Sequence, residues 1–123
     1  MVTQQHLSNI LNQLGFTAKI CNSNYIVIDN FKLPDNWPQD SISILLQIPP
    51  DFPSNRIYGI FVPADFLGEQ AGQIKVGKLP SEVNECGLNW TRLSFYVEYK
   101  NNLNSYLTMH MKTANKVLSF ESI

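Results

Sequence analysis

The sequence is poor in charged residues and has no clear excess of either sign. It carries 9 lysines and arginines against 10 aspartates and glutamates, so its net charge at neutral pH is -1. It also lacks a stripe of basic residues with interleaved aromatic residues, a pattern typical of proteins that bind the phosphate backbone of nucleic acids. Nucleic acid is therefore excluded as an expected partner.

Long apolar runs are missing, and cysteine is scarce. No run approaches the roughly 18–20 residues that cross a bilayer, so we expect no membrane partner. The first residues, MVTQQHLSN, have neither the basic start nor the apolar centre of a signal peptide, which predicts a cytoplasmic protein. Cys21 and Cys86 are the two cysteines. In a reducing cytoplasm we expect both to be free thiols.

Recognisable metal and cofactor motifs are also lacking. His6 and His110 are the two histidines, and with the two scattered cysteines they match no zinc-site spacing. Gly68, Gly72 and Gly77 do not open a helix after a strand, so they form no phosphate-binding loop. The sequence therefore predicts neither a metal nor a cofactor.

The clearest pattern present is a pair of strands joined by a proline corner, over residues 41–62. Apolar and other residues alternate over 42–48, which is typical of a strand with one buried face. Pro49, Pro50 and Pro53 then end the strand, because proline has no N–H to donate. A second apolar run begins at Ile57 and is closed by Pro63.

The remaining chain predicts two helices and a hairpin. Apolar residues recur at helical spacing over 3–14 and from about residue 101 to 118. Thr3 and either Asn101 or Asn102 suit the N-caps, and Gly15 suits the end of the first helix. Residues 16–20 and 25–28 are typical of a hairpin.

Residues 64–89 contain several glycines and few periodic apolar positions, which predicts a long loop. The predicted fold is therefore a single α+β domain over residues 1–123. It has an N-terminal helix, a four-stranded antiparallel meander, the long loop and a C-terminal helix.

This order of elements resembles the ubiquitin-conjugating enzyme superfamily. The corner Pro49-Pro50-Asp51-Phe52-Pro53 resembles the aromatic-proline segment that follows the third strand there. Leu33-Pro34, the corner and Trp90-Thr91-Arg92-Leu93-Ser94 follow the order seen in a divergent bacterial branch, prokaryotic family E. The His-Pro-Asn tripeptide of ordinary members is absent, and Tyr96 stands where that branch has a histidine.

The resemblance implies a conjugating enzyme. Such an enzyme takes a ubiquitin-like protein from an activating enzyme as a cysteine thioester, because a thiolate is both a good nucleophile and a good leaving group. By resemblance the acceptor lies in the loop after the fourth strand, where Cys86 falls. Asn84 and Asn89 flank it and are candidates to stabilise an oxyanion. An inert loop cysteine between turn-forming asparagines also fits these residues.

Two other functions stay open. The first is a non-catalytic module of the same fold that holds a ubiquitin-like protein or another partner protein. Phe52, Pro53 and Tyr58, beside the corner, are then the candidate contact residues, and otherwise they are packing residues. The second is an unrelated α+β adaptor, such as a secretion chaperone, that shares the coarse layout alone. In all three interpretations His110 is expected to be structural.

Overall fold

A six-stranded antiparallel sheet with two helices against one face forms the fold. The computed structural model describes residues 2–68, 73–74 and 83–121. The elements in chain order are α1 (Gln4–Gln13), β1 (Thr17–Asn22), β2 (Tyr25–Lys32), β3 (Ser41–Gln47), β4 (Ile60–Pro63), β5 (Val83–Glu85), β6 (Leu88–Leu93) and α2 (Leu103–Leu118). The strands lie in the order β1-β2-β3-β4-β6-β5.

Both helices lie where the apolar spacing and the capping residues predict them. The Thr3 hydroxyl accepts a hydrogen bond from the His6 N–H at 3.1 Å, which satisfies a free donor of the first turn of α1. The Asn102 side chain caps α2 in the same way. Gly15, just past α1, has a φ of 99°, a conformation that favours glycine.

The predicted four-stranded meander and long loop are wrong. Strands β1 to β4 are successive neighbours, but β5 and β6 form a further hairpin alongside β4. Its turn consists of Cys86 and Gly87, whose φ values are 54° and 82°. Two residues with positive φ match the twist of a tight hairpin. Residues 69–72 and 75–82 of the predicted loop lie outside the described residues.

The two faces of the sheet carry separate apolar clusters. The larger one lies between the sheet and the helices, and includes Ile26, Ile28, Ile44, Leu46, Leu107 and Leu118. The smaller one, on the opposite face, consists of Val27, Leu45, Phe61 and Trp90. Because successive strand residues point to opposite faces, the central strands supply both clusters.

The sheet curls until its two outer strands meet. Although β1 and β5 are at opposite ends of the strand order, the Cα atoms of Cys21 and Cys86 are 5.8 Å apart, and the two residues form a disulfide. Beside it, the Asn22 side-chain amide donates to the Glu85 carboxylate at 2.6 Å. The curl encloses the smaller cluster. Neither described helix has the length and apolar character needed to cross a membrane.

Candidate functional site

The structure joins the two cysteines that the sequence predicts to be free. The free-thiol prediction is wrong because the curl of the sheet brings β1 to the β5–β6 turn, where Cys21 and Cys86 are bonded. Cys86 is half-buried against the smaller cluster, and Cys21 is exposed. A disulfide sulfur is not a thiolate, so Cys86 becomes available as an acyl acceptor only after reduction.

Asn84 and Asn89, the predicted oxyanion residues, do lie near Cys86. They face each other across the β5–β6 hairpin, each two residues from the turn, and both are exposed. The backbone carbonyl of Asn89 accepts a hydrogen bond from the Ala64 N–H at 2.9 Å, which ties the hairpin to the end of β4. The structure therefore brings the three predicted catalytic residues together, with the sulfur bonded to Cys21.

Phe52 and Pro53 belong to a corner that packs against α2. Phe52 is 2% exposed, and its ring centroid lies 5.5 Å from that of Tyr106 and 6.1 Å from that of Tyr99. A side chain this deeply buried offers no surface to a partner, so the contact role predicted for Phe52 is wrong. Pro53 is half-buried beside it.

Tyr58 is fixed by hydrogen bonds to the residues on either side of it. The N–H of Ile57 donates to the Tyr106 hydroxyl of α2 at 3.0 Å. The Nε2–H of His110, also of α2, donates a hydrogen bond to the Gly59 carbonyl at 2.8 Å, since a carbonyl oxygen can only accept. These bonds hold a short extended segment against the helix and leave the Tyr58 ring on the outer side, half-buried.

Both anchoring groups are buried and neutral. Burial lowers the pKa of His110 to about 4, although the hydrogen bond to Gly59 opposes this shift. Burial likewise raises the pKa of Tyr106 to about 12, although its bond from Ile57 opposes the shift. Neither side chain reaches the surface, so their role is to position the segment that carries Tyr58.

A second extended segment presents Tyr96 beside Tyr58. The Gly59 N–H donates to the Phe95 carbonyl at 2.8 Å, which aligns the two segments. Phe95 is buried and Tyr96 is 59% exposed. The Tyr58 and Tyr96 rings stack with centroids 4.6 Å apart and planes at 15°. The outer tyrosine of this stacked pair faces solvent, and tyrosine is enriched among the residues that dominate protein interfaces.

Two arginines flank this pair. The Arg56 guanidinium lies 5.5 Å from the Tyr96 ring centroid, and the Arg92 guanidinium lies 5.1 Å from that of Tyr58. Arg92 is also 4.5 Å from the Phe61 ring, in the smaller cluster. Both arginines are therefore within the range of a cation–π contact.

These four residues border a cleft of about 470 Å³ beside the proline corner. We call it the tyrosine–arginine groove. Its described lining consists of Asn24, Gln47, Ile48, Pro49, Pro50, Asp51, Ser54, Asn55, Arg56, Tyr58, Arg92 and Tyr96. The described residues contain no group of three metal-ligating side chains. The polar lining and the two guanidinium groups suit the groove to recognition of a polar or anionic group.

Of the predicted site residues, Tyr58 alone lies in the groove. Arg56, Arg92 and Tyr96 were missed because residues 56–58 and 92–96 are far apart in the sequence and become neighbours on folding. The sequence did contain a signal for the tyrosine pair: buried residues flank Tyr58 and Tyr96 on both sides, so the alternating pattern turns each tyrosine away from the core. Comparison of the chain with protein-family models, with curated proteins and with solved structures gave no match.

Proposed function

We propose that this chain is a non-catalytic protein-binding module whose contact site is the tyrosine–arginine groove. The observation that carries the proposal is the stacked pair of the half-buried Tyr58 and the exposed Tyr96, flanked by two guanidinium groups. Tyrosine and arginine are enriched among the residues that dominate protein interfaces. The segment is held rigidly from α2, so little conformational freedom is lost on binding.

The resemblance to ubiquitin-conjugating enzymes supports a ubiquitin-like protein as the partner, and a cytoplasmic location is proposed beside it. Both remain proposals. The disulfide counts against a cytoplasmic location, because structural disulfides are rare in reducing compartments. The sheet has six strands instead of the four of the predicted meander, and this difference favours an unrelated adaptor over a relative of the conjugating enzymes. A protein-binding role is compatible both with a module related to conjugating enzymes and with an unrelated adaptor.

Photo-crosslinking tests the binding role. A photoreactive phenylalanine analogue in place of Tyr96 should trap one partner in the source cells, and the same analogue in place of Met109 serves as the control. Met109 is 51% exposed on α2 and lies outside the described groove lining. With the purified partner, Tyr58→Ala should weaken binding about tenfold or more. Equal trapping from both positions, or unchanged binding by Tyr58→Ala, contradicts the proposal.

The thioester carrier stays a second candidate because Cys86 lies half-buried at a hairpin turn, against the cluster on the face opposite the helices. Its test starts from reduced protein, incubated with an activating enzyme, a ubiquitin-like protein and ATP. A thiol-sensitive adduct that is absent from Cys86→Ala would establish the carrier role. If the reduced protein forms no adduct with an active activating enzyme, that role is wrong.

A further inference from the structure

We infer that the tyrosine–arginine groove selects a peptide segment bearing carboxylate side chains. This inference rests on the proposed function, because it names the chemistry of the partner segment that the module would hold. Three features of the groove lead to it: its net positive charge, the fixed position of one guanidinium, and the aromatic surface between the two arginines.

The groove carries more positive than negative charge. Within the described part of the chain, the ion pairs are Lys19–Asp29 and Lys100–Glu98, and neither groove arginine takes part in one. Asp51 is the carboxylate of the described lining, and its Oδ2 accepts a hydrogen bond from the Asn55 amide at 2.6 Å. Two guanidinium groups against one carboxylate give the described lining a net positive charge, which favours an anionic ligand.

Arg92 is already held in a binding position. Its guanidinium lies over Phe61 and Tyr58, and its Nη2 donates to the Gln47 side-chain oxygen. Its Nε is buried and has no hydrogen-bond partner among the described residues. A planar guanidinium offers five N–H donors in a fork that matches a carboxylate. Because Nε is buried and one Nη2 donor bonds Gln47, the donors left for a ligand are those of Nη1 and the second N–H of Nη2.

The aromatic surface favours a peptide over a small free anion. A small anion would contact a guanidinium and leave Tyr96, which is 59% exposed, uncovered. A peptide places carboxylates near the arginines while its backbone and neighbouring side chains cover the tyrosine pair and the wall at Pro49 and Pro50. An open cleft of about 470 Å³ accommodates such a segment.

The test is an NMR titration of the oxidised, isotope-labelled protein with two synthetic peptides. Both consist of glycine and serine around one tyrosine, and they differ in three central residues, which are glutamates in one and glutamines in the other. We expect the glutamate peptide to shift the Arg92 Nε–H and the Tyr58 and Tyr96 signals. The glutamine peptide should bind about tenfold more weakly.

Two groove variants and one control complete the test. Arg92→Lys keeps the charge but loses the planar fork and should weaken the glutamate peptide about tenfold. Arg56→Gln, at an exposed position, should weaken it severalfold. Lys100→Gln removes an exposed lysine outside the described lining and should leave the affinity unchanged. Unchanged affinity in both arginine variants overturns the inference.

The remaining outcomes separate this inference from the proposed function. Equal binding of the two peptides at the groove overturns the carboxylate preference and leaves the binding role intact. If neither peptide shifts the groove signals, the inference fails, and the crosslinking result alone decides the binding role. Inorganic phosphate that shifts the arginine signals at lower concentration than the glutamate peptide also overturns it, in favour of a phosphorylated ligand.

Discussion

The disulfide should contribute a large part of the stability of this fold. We consider the double variant Cys21→Ser, Cys86→Ser, which removes the bond and keeps two small side chains at the same sites. The two cysteines are separated by 65 residues in the chain. Closing a loop of this length restricts the unfolded chain by about 4 kcal/mol on the chain-entropy estimate.

The structure indicates which part of the sheet depends on the bond. Strand β5 has three residues and pairs with β6 alone among the described strands. Besides the disulfide, an exposed side-chain hydrogen bond from Asn22 to Glu85 connects β1 with β5. Loss of the bond should therefore release the β5–β6 turn from β1 while the contact between the sheet and the helices persists.

Denaturant unfolding of oxidised protein, reduced protein and the double variant measures this effect. The free energy of unfolding should fall by about 4 kcal/mol in the last two samples. Amide exchange should rise first at residues 83–89. Asn22→Ala is the matched control, since it removes a polar contact at the same edge and should cost under about 1 kcal/mol. Equal stability of the oxidised and reduced proteins, or two free thiols by mass spectrometry in protein purified without reductant, would refute the reasoning.

Three further predictions concern the segment that α2 holds. Burial lowers the pKa of His110 from 6.5 to about 4, so on acidification the unfolded chain binds a proton at this histidine before the folded protein does. The free energy of unfolding should therefore fall by about 3 kcal/mol as the pH drops from 6.5 through 4. Denaturation midpoints measured against pH should fall less steeply in His110→Gln. Tyr106→Phe leaves the buried Ile57 N–H unpaired and should cost about 1–3 kcal/mol. It should also remove the stability loss expected above pH 10, since the folded pKa is about 12. Gly59→Ala places a methyl group against the Leu93 carbonyl at a φ of 62° and should cost about 3 kcal/mol or more in thermal unfolding, whereas Gly68→Ala, with open space, is the control for positive φ alone.

The elements with strong local signals were predictable from the sequence. Thr3 and Asn102 mark the helix starts because their side chains satisfy free backbone donors of the first turn. Strand β3 is evident because its residues alternate before the proline corner ends it. The β5–β6 hairpin was missed because β5 is too short to show a period. Cys86 also occupies a turn position where asparagine or glycine would have signalled a hairpin.

The site could not be predicted in the same way, since it depends on the curl of the sheet and on long-range pairing. Phe61 lies opposite Leu45 in β3 and Arg92 in β6, so one row of side chains joins residues from three strands. The sequence shows each residue but not this register. The disulfide has the same origin, because the two cysteines become neighbours when the outer strands of the sheet meet.

Reduction separates the two candidate functions in one sample. The contacts that fix Arg92 come from Phe61, Tyr58 and Gln47, all on the β3–β4 side of the groove, and β4 remains paired with β6 when β5 is released. Cys86 and Arg92 both contact the smaller cluster, but the strands that hold that cluster stay paired on reduction, so affinity for the crosslinked partner should change by less than about twofold. A thioester carrier, in contrast, should gain activity on reduction because Cys86 becomes a thiolate. Partner binding that disappears on reduction, measured in native conditions where the protein stays folded, would show that the disulfide and not α2 holds the groove in place.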